Sequence, residues 1–393
     1  MGAFTHVFGS EEAAGAGPLD AFFLPFALSF QVVAIFLLTV PVRRQQTITL
    51  LRKNLALIIA LALIVLSTAW SIDPSLTLRR GLALVGTSAF ALLTYVVVGR
   101  ENVLRFFASN LAVFIVGSVV VVFALPELGT HVHDKFAGDW RGLLGYKNQA
   151  GWAAVLFLLT WLYGRNRAWK SVGTYVMAAL GLLMLFNTHS ATGYSAFAFG
   201  VSTLCILEAY RRFAPLRPLV LAGFVWVAMI VSLNFQTIFD TILNLLGRDE
   251  SLTGRTSVWT ALWPLIESRL WFGSGYRSFW DSADQYFGAS SWMSGIGHSH
   301  NAYVEMLLDV GLLGLLTQVL FLLTLAIRLF RKSARGDGDA TAMLCIVLTL
   351  SIIGIAGAVF FRANSGIWIM IVAFACYAAE DRSVPSESKF ATL

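Results

Sequence analysis

Residues 295–327 read "GIGHSHNAYVEMLLDVGLLGLLTQVLFLLTLAI". Two histidines, an asparagine and two carboxylates stand at the mouth of a stretch that then stays largely apolar as far as Ile327. Crossing a hydrocarbon core takes roughly 20 such residues, so the stretch reads as a membrane helix with its polar chemistry at one end. Comparable runs fall at about 21–41, 54–70, 81–99, 103–124, 149–164, 172–188, 194–210, 218–236, 342–361 and 365–379. With 57% hydrophobic and 13% charged residues in 393, the composition lies outside the soluble range. The chain is therefore expected to be an all-α polytopic membrane protein, one integral domain over residues 1–393. It should have about eleven spans, or twelve if the N-terminal arm holds one more. A β-barrel would show short alternating segments instead. Met1–Leu19 lacks the basic region and apolar core of a signal peptide and reads as an exposed arm.

Lys and Arg set the orientation. Eighteen of the 28 fall in one set of loops, which includes Arg43, Arg44, Arg52, Lys53 and Arg328, and the other ten fall on the opposite side. The first set is taken as cytoplasmic. The net charge of +6 records this bias, and nucleic-acid binding is a poor reading. Cys205, Cys345 and Cys376 lie in apolar spans at no disulfide or metal-ligand spacing.

On this topology all six histidines face outward, as do the two long loops, about 125–148 and 237–301. The helix centres hold few ionisable groups, which counts against an ion-coupled transporter. In the larger of the two loops, Val258, Leu262, Leu265, Ile266 and Leu270 recur at near-helical spacing among Trp259, Trp263, Trp271 and Trp280. An amphipathic, Trp-rich helix lying over the bundle mouth is expected, either catalytic or a plain cap. Arg255 stands at its start and Arg277 in the Gly-rich turn "GSGYRSFW" that follows. The first loop supplies Arg141, Lys147 and Asn148 in "GDWRGLLGYKNQAG". Singly, each cation could be a solvated or headgroup-binding charge. Together, beside the histidines, they resemble a pyrophosphate site, because guanidinium forks match phosphate geometry.

Asn301 fits a helix N-cap, and Asn301 and Glu305 share a helix face, where Glu305 could orient a histidine or a sugar hydroxyl. Asp309, a turn deeper, needs a buried partner. Gly311 and Gly314 would let a neighbouring helix approach. His298 and His300 could be structural, or could bind a metal were further ligands at hand. No metal is expected. A neutral imidazole suits removal of a proton from an alcohol, which makes His300 the candidate base. His189, in "NTHSATGY" with Ser190 and Thr192, could bind a sugar or cap a helix.

His300-Asn301, nine residues, Gly311, two residues, Gly314 resembles the signature of the O-antigen ligase-like family of bacterial surface-polysaccharide ligases and polymerases. "TGRTSVWTALWPLIESRLWFGSGYRSFW" is similar to the family's preceding segment, and "WRGLLGYKNQAG" to its exopolysaccharide-polymerase, ExoQ-type branch. The resemblance implies a glycosyltransferase of the bacterial inner membrane, its site facing the periplasm. It would need no cofactor. Its donor would be an undecaprenyl-pyrophosphate-linked oligosaccharide and its acceptor a glycan, with polysaccharide export or chain-length proteins as further partners. By position, His300 and Arg255 would be catalytic. Arg141, Lys147, Asn148, Arg277, His298, Asn301, Glu305 and His189 would bind substrate. A ligase acting on lipid A-core or another acceptor, and a non-enzymatic transporter or export partner, are the alternatives.

Overall fold

A computed structural model describes residues 31–132, 136–164, 172–213, 215, 218, 253–288, 291–293 and 296–380. Residues 21–30 of the first expected span and nearly all of the eighth, 218–236, lie outside them. The described chain is helical, with a lone antiparallel bridge between Thr130 and Trp140. The principal helices among the described residues are α1 (Pro41–Lys53), α2 (Leu55–Leu66), α3 (Pro74–Val98), α4 (Val103–Ala124), α5 (Lys147–Gly164), α6 (Val172–Asn187), α7 (Ala191–Arg212), α8 (Thr253–Ser268), α9 (Ala302–Ala334), α10 (Gly338–Ala356) and α11 (Gly366–Ala379).

Short polar side chains begin many of them, each accepting a backbone N–H that the first helical turn leaves without a partner. Asp73 caps α3, Ser190 α7, Asn301 α9, Asp337 α10 and Ser365 α11. Among the described residues α3, α4, α9 and α10 are each long and apolar enough to cross a membrane. A fifth candidate, the α1–α2 pair, is bent by 84° near Asn54, so the expected straight span at 54–70 is α2 plus a 3-10 turn, with α1 running across it. The last helix, α11, is only 14 residues long. It is buried nearly all round, with Trp368 and Phe374 fully enclosed, as a helix apolar on every face must be. It packs on α3 and α9; α10 packs between α9 and α7, and α5 touches α4, α6, α7 and α10.

The sequence assigned Gly311 to close helix approach, and here the structure corrects it. Gly311 has φ +71° and breaks α9. The carbonyls of Leu308 and Asp309, released from the helix ladder, accept the N–H groups of Ser274 and Gly275 at 2.9 and 2.8 Å. On the far side of the break, the Leu312 N–H donates to Leu270 O at 2.7 Å and that of Leu313 to Trp271 O at 3.4 Å. What approaches is therefore a loop, residues 270–278, that plugs the gap and satisfies its backbone. A methyl at Gly311 would lie 2.4 Å from Trp271 C, so only glycine fits. Beside the plug, α8 buries Val258, Leu262 and Ile266 against Leu307 and Leu308 of α9. Full burial of side chains this size stabilises by about 1.5–3 kcal/mol each. The Trp-rich helix is thus anchored on the first half of α9, with Trp263 on its exposed side.

Candidate active site

α3, α5, α7, α9 and α11 all begin at one end of the bundle. The turn His298–Asn301 sits there, at the entrance of α9. Glu305, buried one turn into the helix, reaches back to accept the Ser299 N–H at 2.8 Å and the Trp280 indole N–H at 3.0 Å. Ser299 O takes the Trp259 indole N–H at 2.8 Å, and Ser299 Oγ donates to Asn301 O at 2.9 Å. Asn301 Oδ1 accepts from Tyr303 N and Val304 N at 2.9 and 3.2 Å. His300 adopts φ +53°, a backbone that few non-glycine residues accept. His298 Nδ1 helps hold it there by accepting the His300 N–H at 3.0 Å, and the two rings lie 4.0 Å apart between centroids. His298 is buried while His300 is half-buried, so one imidazole braces the turn and the other is presented.

Three guanidinium groups act electrostatically on His298: Arg362, Arg277 and Arg255. Arg255 comes from α8 and Arg277 from the plug. Arg362 stands in the short connection between α10 and α11, and the sequence did not single it out as a site residue. It is 5% exposed; Nη2 lies 3.5 Å from Glu305 Oε1 and Nε donates to Ala358 O at 3.2 Å. Its Nη1 is buried and makes no hydrogen bond among the described residues. The available signal was one arginine in "FFRANSG", enclosed by two apolar runs. Arg80 was overlooked as well. It donates to the Arg277 carbonyl and, at 2.6 Å, to Asp281, and so fixes the plug where Arg277 has φ +54°. Asp309, also buried, has Arg277, Arg362 and Glu305 as charged neighbours.

Burial, reinforced by Arg362, Arg277 and Arg255, pushes the His298 imidazole down to about 3, with Glu305 opposing. His298 is therefore neutral at ordinary pH and its Nδ1 stays an acceptor. Below the ordinary value of 6.5 the unfolded chain binds a proton here that the folded chain refuses. Stability therefore falls as the pH drops from 6.5 toward 3 on account of this one group. Asn at position 298 could accept the same N–H without titrating. His298→Asn should accordingly show a shallower drop in unfolding temperature between pH 7.5 and 5 than wild type, and an equal drop would refute this role for His298.

The other sequence-derived residues form a second cluster at the same end. Asp139 bridges two of them, pairing with Lys147 Nζ and lying 2.7 Å from His189 Nδ1. Lys147 is buried, stacked 3.9 Å from the Phe136 ring, and its N–H donates to His131 Nε2 at 3.3 Å. Asn148 Oδ1 accepts from Ser190 Oγ at 2.8 Å, and the same Oγ caps α7. Arg141 donates to the carbonyls of Leu128 and Glu127, both at 3.2 Å, away from the histidine turn. Lys147 is thus neutralised by an acid that sequence reading had not weighed. The two clusters meet through Trp152 of α5, which packs on Gly357 at the start of the connection carrying Arg362.

Residues 176–319, from α6 through the histidine turn into α9, match the family model described as O-Antigen ligase. The chain is also 26% identical over 357 residues to the exopolysaccharide production protein ExoQ of Rhizobium meliloti, covering 82% of this chain and 76% of that one. The matched segment holds the His300–Asn301 turn, Gly311 and Gly314, so this part of the chain is similar to the O-antigen ligase family.

Proposed function

We propose that the protein is a membrane glycosyltransferase that joins oligosaccharide repeat units carried on undecaprenyl pyrophosphate, at the periplasmic face of the bacterial inner membrane, in a bundle of eleven or twelve spans. The observation that carries this reading is the His298–Asn301 turn, braced by Glu305 and lying among Arg255, Arg277 and Arg362. An acceptor hydroxyl gives its proton to His300 as its oxygen attacks the anomeric carbon of the donor. The anomeric C–O bond to pyrophosphate breaks, and polyprenyl pyrophosphate leaves with the electron pair and inverts the configuration. Fixed cations stabilise the charge growing on that leaving group, and they do so without reorganising during the reaction. Arg255 and Arg277 take this role here. Lys147, Asn148 and His189, with Arg141 at the edge, would line the approach of the sugars from the second cluster. No metal is required in this scheme.

Polymerisation is favoured over ligation by similarity to an exopolysaccharide production protein along most of the chain. The family's own description favours ligation. Product length separates them. Purified protein in vesicles with lipid-linked repeat units should give a ladder still attached to polyprenyl pyrophosphate. A single en bloc transfer to another acceptor would establish the ligase instead.

A further inference from the structure

We infer that the protein holds one anionic glycerophospholipid in a cleft at the end of the bundle opposite the histidine turn. The cleft, of about 320 Å³, lies where the bent α1–α2 corner meets the second half of α9 and the end of α11. Its walls are aliphatic and its rim is cationic. Leu55, Ile59 and Leu320 line it and are 59%, 52% and 51% exposed, which for residues within membrane helices means facing acyl chains. Arg52, Lys53 and Arg328 line it too, and among the described residues no acid does. Arg328 Nη1 donates to Asn54 Oδ1 at 3.3 Å, which ties a cation of α9 to the corner.

Position supports the same occupant. Arg328 is 26 residues beyond the start of α9 and within its last two turns, at the end of the helix away from the histidine turn. α1, turned 84° from α2, then runs along the membrane surface, and it carries Arg43, Arg44, Arg52 and Lys53 without an acid. A surface-lying cationic helix beside an aliphatic slot matches a phosphodiester headgroup with an acyl chain below it. A free phosphate would leave the slot unfilled, and a zwitterionic lipid would gain less from the cations.

Native mass spectrometry of the full-length protein in detergent tests this, with phosphatidylglycerol and phosphatidylethanolamine as probes. One phosphatidylglycerol should be retained in preference, with retention falling roughly fivefold per cation in Arg52→Gln and Arg328→Gln. Ile59→Trp, which fills the slot without changing charge, should also release it. Arg43→Gln/Arg44→Gln, on the same helix but outside the cleft, should not. Glycerol 3-phosphate should fail to compete. Equal retention of phosphatidylethanolamine, loss as large in the Arg43/Arg44 variant, or displacement by glycerol 3-phosphate or by polyprenyl phosphate at equal concentration would overturn the assignment. Should a variant not fold, wild-type protein crosslinked to a photoreactive phosphatidylglycerol decides the matter. Adducts within 52–59 and 320–328 are expected, and adducts confined elsewhere would refute the cleft.

Discussion

His300→Ala is expected to lower elongation of lipid-linked glycan in vesicles by about 10²–10⁴-fold, the usual contribution of a positioned general base. The protein should still fold. The Ser299 N–H on Glu305, the Trp259 indole on Ser299 O and the His300 backbone N–H on His298 hold the turn without atoms of the His300 side chain. Alanine at 300 keeps the same backbone groups. Loss of turnover with an unchanged unfolding temperature is therefore the expected pair of results. Undiminished elongation would remove His300 from the chemistry and return the non-enzymatic export reading to contention.

Arg362→Ala should have the largest effect on stability. Removing one partner of a buried ion pair typically costs 3–5 kcal/mol, because the other charge is left in low dielectric. Glu305 would be that charge, and it also holds Ser299 and Trp280, so turnover should fall along with the unfolding temperature. The double variant Arg362→Ala/Glu305→Gln should be less destabilised than the sum of the single ones, since each single loss includes the cost of stranding the partner. Unfolding temperatures that add simply would show that Arg362 and Glu305 do not act as a unit.

The parts of this site legible in the sequence are those built from neighbours. His298, His300, Asn301 and Glu305 fall within eight residues at a change from polar to apolar, and the Asn301 cap and the Glu305 position follow from helical spacing. Arg362 lies 57 residues from Glu305, and Arg80 lies 197 from Arg277, so no local pattern connects them. Gly311 was misread for a different reason. A glycine in an apolar run serves close helix packing and helix breaking equally well, and what decides between them is the Gly273–Gly275 loop that hydrogen-bonds into the break. The bend near Asn54 falls where the apolar run of α2 meets the cationic stretch 43–53, which in the sequence alone looks like a loop between spans rather than a helix. Asp139 was invisible as the partner of Lys147 and His189 because a lone acid in a loop is ordinarily solvated.

The central claim is that a polyprenyl pyrophosphate is activated between the arginines and the histidine turn. Electron cryomicroscopy of His300→Ala with lipid-linked oligosaccharide bound tests it most directly, because the variant should hold donor without consuming it. Density for the pyrophosphate contacting Arg255 and Arg277, with the anomeric carbon facing position 300, is the predicted result. A pyrophosphate bound elsewhere in the bundle, with these arginines contacting only protein, would contradict the account.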